Sequence, residues 1–295
     1  MRRVLLHANE HTKLLLLGDG RSGTTWIADV LNYDGRYLDF FESYHGQQVL
    51  NLPESRIYPT GGDFASIPIH FKKYVLSSKI FAAQQKPRGF TASGCFVKDI
   101  TAHMIFSLIF QEFGYRIYII RNPLSVALSK EKYGRWHSID DLQKLINFSP
   151  KLRAMSDCCF SRSLVNSRFH EYVLVWCLLN KIAFPQVISN AFVIFYEDFL
   201  LNPEQSFHDL FAYIEQESRF KKYRSRILGS VNKRSRTSVD SYPIKDGATH
   251  LRAWEQNKSK VEISLAYQII EIFELDYLYQ GNAVPQICPK KLILN

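Results

Sequence analysis

The sequence predicts an α/β fold with a central parallel sheet of about five strands and helices on both faces. Three observations lead there. Short apolar runs recur without polar alternation, as expected of strands buried on both sides. Between them lie stretches with apolar residues at helical spacing, the strand–helix alternation of βαβ units. The chain of 295 residues is long enough for one domain of this kind with a sizeable core.

Taken in order, Lys13–Leu17 reads as a buried strand entering a glycine turn, and Gly23–Leu31 as the helix that follows. Arg36–Phe41 is a second strand and Phe96–Lys98 a short third. Ala102–Phe113 is apolar at helical spacing. Arg116–Ile120, β-branched and aromatic, is the fourth strand, and Pro123 opens a helix in the position where proline is best tolerated. Glu171–Phe184 is a strongly apolar helix, Phe192–Phe195 a fifth strand, Pro203 the start of another helix, and Val261–Leu275 a final amphipathic one. Residues 46–95 and 131–170 fit neither pattern and are expected to be loops and lids over an acceptor site, within a single domain spanning 1–295. In parallel sheets ligands sit at the carboxyl ends of the strands. The segments to inspect are therefore Gly18–Thr25, Asp39–His45, Lys98–Asp99, Arg121–Ser129 and Tyr196–Asp198.

Composition narrows the function classes. At 46% hydrophobic and 22% charged residues the chain is in the globular range. The net charge of +9 favours anionic partners in general and does not choose among them. The cations do not gather into an obvious helix or aromatic platform, so no nucleic-acid partner is expected. Cys95, Cys158, Cys159, Cys177 and Cys288 form no C-x-x-C pair, which argues against a disulfide framework or a zinc site and suggests a reducing compartment. The N-terminal apolar stretch is short and broken by His7, Asn9 and Glu10, unlike a signal peptide. Leu14–Leu17 is too short to span a bilayer. The expectation is a soluble, cytoplasmic protein without membrane partners.

The first strand runs into Gly18-Asp19-Gly20-Arg21-Ser22-Gly23-Thr24-Thr25-Trp26. Glycines let the backbone curl so that successive N–H groups face one anion. The helix N-terminus adds partial positive charge, Arg21 a full one, and Ser22, Thr24 and Thr25 hydroxyl donors. Phosphate or sulfate is the natural ligand; a plain strand–turn–helix joint is the bland alternative. The G-x-x-x-x-G-K-[ST] loop of nucleotide kinases is matched at Gly18 and Gly23, but Thr24 stands where its lysine belongs, which speaks against ATP or GTP hydrolysis. At the fourth strand end Arg121 leaves the strand and Ser129 sits in the next helix. The pair can converge on a second anion, although Arg121 capping a neighbouring carboxylate would leave the same trace.

Arg21–Trp26 (RSGTTW) after a strand resembles the 5′-phosphosulfate loop of sulfotransferases that use 3′-phosphoadenosine-5′-phosphosulfate (PAPS). The leading arginine is similar to the carbohydrate and tyrosylprotein branches; the aryl branch has lysine there. Arg121-x-Pro123 with Ser129 resembles the family's 3′-phosphate motif in full spacing. Tyr196-Glu197-Asp198 resembles its Y-E-D element, and Thr237-Ser238-Val239 its T-S-F element, with Val239 in place of the aromatic. The resemblance implies that the loop holds the 5′-phosphate, that Trp26 and Tyr196 lie by the adenine, that Thr237 and Val239 close over it, and that PAPS is co-substrate with PAP as product. Lys233, Arg234 and Arg236 would make a basic lid, or simply a solvated basic run. No metal is implied.

The aryl branch keeps a histidine two residues after a strand-end lysine; here Lys98 is followed by Asp99 and Ile100, so that base is absent, and His103 lies a helical turn too far. Glu42, in Asp39–His45 at the end of the second strand, resembles the glutamate of the carbohydrate and tyrosylprotein branches and is the candidate base, expected beside the phosphate loop. His45 is the competing base. Lys98 either steadies the transferring group or binds the acceptor, with Asp99 orienting it, or else Lys98 and Asp99 form a strand-end ion pair. The resulting expectation is a sulfotransferase acting on a hydroxyl, or an amine, of a saccharide or related small molecule. The alternatives are a nucleotide kinase or other phosphotransferase, and a non-catalytic PAP-type nucleotide binder.

Overall fold

The computed structural model describes residues 13–46, 56, 94–134, 139–231, 233 and 250–287. Thr237, Val239, Arg234, Arg236, Cys288 and most of 46–95 lie outside them. Five strands form one sheet: β1 (Lys13–Gly18), β2 (Tyr37–Phe41), β3 (Gly94–Asp99), β4 (Tyr115–Ile120) and β5 (Phe192–Phe195), in the order β2-β3-β1-β4-β5. Every pairing is parallel. The α/β fold class read from the sequence is the one observed.

The sheet is covered on both faces, and β1 shows why its sequence is a run of leucines. Leu15 and Leu17 belong to one core, Leu14 and Leu16 to the other, and all four are buried. On the first face pack α3 (Pro123–Tyr133), α6 (Arg168–Val187) and α11 (Lys260–Ile272); on the second pack α1 (Thr24–Leu31), α8 (Pro203–Tyr213) and α9 (Glu217–Leu228). Alternate residues of one strand thus feed two separate cores, and a polar residue at either parity would be stranded in apolar surroundings.

Register aligns the strand ends. Leu17 is opposite Asp99, Phe41 opposite Lys98, Gly18 opposite Ile119, and Ile120 opposite Phe195. All five carboxyl ends therefore open on one edge of the sheet. The switch in winding falls at β1, with β3 on one side and β4 on the other, where ligand crevices form in open α/β sheets.

Three local expectations are corrected. Residues 131–170, expected to be loops, hold α4 (Ile139–Ile146) and α5 (Pro150–Ser161). In α5 only Leu152, Ser156 and Cys159 are buried, a single stripe spaced four and three apart on a helix otherwise exposed or half-buried, started by the Ser149 cap on the Leu152 N–H with Pro150 at the first position. Ala102–Phe113, expected as one helix, is 3₁₀ (Ala102–Ile105), α2 (Phe106–Ile109) and 3₁₀ again (Phe110–Glu112). The breaks fall at the β-branched Ile105 (φ −114°) and Ile109 (φ −102°). Finally, β2 does not adjoin the phosphate-loop strand; β3 lies between them.

Candidate functional site

The loop after β1 turns tightly. Ser22 N–H donates to the Asp19 carbonyl at 3.1 Å, Gly23 takes φ +90°, and α1 begins at once. A Cβ at Gly23 would lie 2.5 Å from a ring carbon of Tyr196, so the close approach of this loop to the β5 end requires glycine twice over.

From that geometry Arg21 reaches across to α3: its Nε donates to Ser129 Oγ at 2.9 Å. Arg121, leaving β4, donates from Nη1 to the Arg21 carbonyl at 3.0 Å, and its guanidinium lies 4.3 Å over the Tyr196 ring centroid. Arg21, Gly23, Arg121, Ser129 and Tyr196 thus come from four segments and meet in one crevice. Trp26, in the first turn of α1, meets Tyr196 edge-on at 5.7 Å and donates Nε1–H to the Ser230 carbonyl at 3.2 Å. Its other side borders a cavity of about 190 Å³ that Asp29, Tyr33, Arg226, Ser230 and Lys233 also line. Thr24, Thr25 and Ser22 are buried, and Ser22 Oγ has no hydrogen-bond partner among the described residues.

Non-glycine residues with left-handed backbone point to the same edge. Ser163, Glu215, Glu274 and Gln280 adopt positive φ just past helix ends, where such residues commonly terminate helices. Arg21 (φ 71°) and Glu42 (φ 54°) have no such excuse: each follows a strand instead. Backbone strain of this kind costs on the order of 1–3 kcal/mol and persists where the surroundings over-determine it.

At the β2 and β3 ends stands a second group. Lys98 Nζ is 2.6 Å from Glu42 Oε1, with its ammonium 4.1 Å over the Phe41 ring, and the Glu42 N–H donates to the Lys98 carbonyl. Glu42 therefore reaches the crevice edge through β3, not by direct adjacency to β1. Asp99 does not pair with Lys98. Its carboxylate accepts the N–H groups of Tyr44, Thr101 and Ala102 and the Thr101 hydroxyl at 2.6–3.0 Å, fixing the chain on both sides of the pair. Burial raises the Asp99 carboxyl above the ordinary range, and those bonds pull it back down. The His45 N–H donates to the Glu42 carbonyl at 3.0 Å, and burial lowers its imidazole while Glu42 and Asp99 oppose the shift. The nearby His103 is fully buried in the protein interior, its ring edge-on to Tyr118, and burial pushes it down to about 3.

Sequence reasoning missed three neighbours. Lys130 Nζ lies 2.6 Å from Asp19 Oδ2, both side chains almost wholly buried; burial pulls this lysine below its usual range while Asp19 pulls it up. A lysine next to Ser129 in a helix otherwise read for its serine gave no linear signal. His250 Nε2 is 3.2 Å from Arg121 Nη2, and buried Arg56 lies within electrostatic reach of His45, His103 and Lys130.

No family model and no curated protein matches the chain. Solved structures do resemble it. The sulfotransferase domain from the Synechococcus PCC 7002 olefin synthase aligns at TM-score 0.44 and 12% identity over 91% of this chain and 98% of that one. The sulfotransferase domain from the curacin biosynthetic pathway aligns at TM-score 0.44 and 15% identity over 88% and 96%. Retinol dehydratase, in complex with androsterone and the inactive cofactor PAP, aligns at TM-score 0.39 and 15% identity over 90% and 81%. Among the described residues no helix is long and apolar enough to cross a membrane, and no three His, Cys, Asp or Glu side chains gather as metal ligands. The four described cysteines carry free thiols; burial raises Cys95 to about 11 and Cys159 to about 12.

Proposed function

We propose that this protein is a PAPS-dependent sulfotransferase that moves a sulfuryl group to a hydroxyl or amine of a saccharide or related small acceptor. One observation carries the proposal: the neighbouring ends of β1 and β4 each bring an arginine to one crevice, tied together by the Arg21–Ser129 and Arg121–Arg21 hydrogen bonds. Two phosphates of one adenosine nucleotide need two cationic grips, and guanidinium forks suit both. The buried Ser22 hydroxyl, without a hydrogen-bond partner among the described residues, and the Gly23 turn fit a phosphate oxygen at the loop. The cavity beside Trp26, with Tyr33, Arg226 and Lys233 on its walls, suits a purine and its charged surroundings.

PAPS, as co-substrate, supplies an activated sulfur with PAP as leaving group. In the proposed reaction the acceptor oxygen forms the new S–O bond in line as the bond to the phosphate oxygen breaks. Glu42 takes the acceptor proton, and Arg21 offsets the charge that grows on the leaving phosphate. Lys98, beside Glu42, orients the carboxylate and supplies positive charge toward the sulfuryl oxygens. His45 is the alternative base. The absence of the loop lysine, replaced by Thr24, weighs against a nucleotide kinase.

The test is incubation with sulfur-labelled PAPS and panels of saccharides, phenols and peptides. Label transfer to a saccharide is the expected result. ATP turnover without sulfate transfer would replace the proposal with the kinase, and PAP binding without transfer to any acceptor would replace it with a nucleotide binder.

A further inference from the structure

A buried carboxyl helps to hold the turn that carries Arg121. Glu197 follows Tyr196 at the start of α7 (Tyr196–Leu201) and has no exposed surface. Its Oε1 accepts the Asn122 N–H at 2.8 Å, and its Oε2 accepts the Tyr279 hydroxyl at 3.1 Å. The side chain of Asn122 is committed elsewhere: Oδ1 caps α3 at Leu124 and Ser125, and Nδ2 donates to the Asn282 carbonyl at 3.0 Å. The Arg121 carbonyl is itself fixed by Trp176 Nε1 at 3.1 Å. The β4 end, α7 and the chain segment 279–282 are therefore joined at one point, at the residue that follows Arg121.

We propose that Glu197 is the positioning residue of the anion site at the end of β4, setting Arg121 through Asn122 and holding Tyr279–Asn282 over the same turn. The proposal rests on the nucleotide function above. The charged and titratable groups around Glu197 are Arg121 from β4, Tyr279 from the chain segment beyond α11, Asp198 on its own helix, and His250 on the far side of Arg121. Burial lifts the Glu197 carboxyl to about 7, while the Asn122 N–H and Arg121 pull it down. A bisphosphate on Arg121 would cancel that pull and add negative charge nearby. The carboxyl would then take up a proton as nucleotide binds.

Calorimetric titration with 3′,5′-ADP at pH 6, 7 and 8, in buffers of different ionisation heat, tests this with unmodified protein, Glu197→Ala and Glu197→Gln. The alanine variant is expected to bind about tenfold more weakly at every pH, because the Asn122 N–H loses its acceptor. The glutamine variant keeps that acceptor and should bind within about threefold of the unmodified protein at pH 6. As pH rises to 8 the unmodified protein should weaken relative to the glutamine variant, and its proton uptake near pH 7 should be missing from that variant. Unmodified binding by the alanine variant overturns the proposal. So do superimposable pH profiles and proton uptake for the unmodified and glutamine forms; this comparison decides alone if the alanine variant fails to melt cooperatively. If unmodified protein binds no 3′,5′-ADP at any pH, the nucleotide function falls and the inference with it. Binding that ignores Glu197 sinks the inference alone.

Discussion

The two ends of the crevice are built differently. On the β1–β4 side, groups from four segments are interlocked: Arg21 on Ser129, Arg121 on the Arg21 carbonyl and over Tyr196, Tyr196 against Gly23. On the β2–β3 side stands the buried Lys98–Glu42 ion pair, with Asp99 fixing the chain on both sides of it. In the proposed function the first side grips the nucleotide phosphates and the second supplies the base. Under that reading binding and chemistry sit at different strand ends, and each can be removed separately.

The largest expected effect breaks chemistry alone. Glu42→Gln should slow sulfuryl transfer by roughly 100-fold or more, the usual cost of losing a general base. Calorimetry should give PAP affinity within about twofold of the unmodified protein, a span that corresponds to well under 1 kcal/mol. Equal transfer rates would hand the role to His45. A parallel loss of PAP affinity would mean that the two sides are not separable.

Next comes the converse. Arg121→Ala or Arg21→Ala removes charge-assisted bonds worth on the order of 1.5–3 kcal/mol, so PAP should bind roughly 10- to 150-fold more weakly. Rates at saturating PAPS should fall far less for Arg121→Ala than for Arg21→Ala, since only Arg21 is proposed to meet the leaving phosphate. Equal falls in saturated rate would erase that distinction.

These two sides were also unequally legible in the sequence. Gly18–Trp26 and Arg121–Ser129 are contiguous segments at strand ends, so local residue spacing carried them, and the strand-to-strand contact followed from the parallel sheet. Glu42 and Lys98 are far apart in sequence and meet only because β2 pairs with β3; the placement of β2 beside β1 was the wrong strand order. Lys130–Asp19, His250 and Arg56 depend on three-dimensional proximity with no period or spacing to mark them. Helices α5 and α9 were hidden for another reason: each buries one narrow stripe, too sparse to set a helical period.

A third effect concerns the floor behind β3. His103 is buried, and neither ring nitrogen has a partner among the described residues. Its folded-state pKa is pushed down to about 3 from an ordinary value of 6.5. The unfolded chain therefore binds a proton at His103 below pH 6.5 that the folded protein refuses. The stabilising difference is fully present above 6.5 and is lost as pH falls toward 3. Between pH 6.5 and 5 the loss amounts to about 2 kcal/mol. His103→Phe, which keeps the ring contact with Tyr118, should flatten the acid limb of urea-derived stability by that amount. An unchanged limb would mean that water or another group satisfies the imidazole.

The smallest effect asks how tightly the β1–β4 side is wired. Ser129 offers one neutral hydroxyl, so Ser129→Ala should weaken PAP binding only about 2- to 10-fold. That hydroxyl accepts from Arg21 Nε, which makes two routes possible: Ser129 meets the phosphate itself, or it aims Arg21. A double-mutant cycle with Arg21→Ala separates them. If Ser129 acts through Arg21, its removal costs almost nothing once the arginine is gone, and the double variant binds PAP like Arg21→Ala. If it holds the phosphate directly, the two losses multiply. The 2.9 Å bond between them favours the first outcome, and multiplying losses would assign Ser129 to the ligand and leave Arg21 held by its strained backbone and its own carbonyl bond to Arg121.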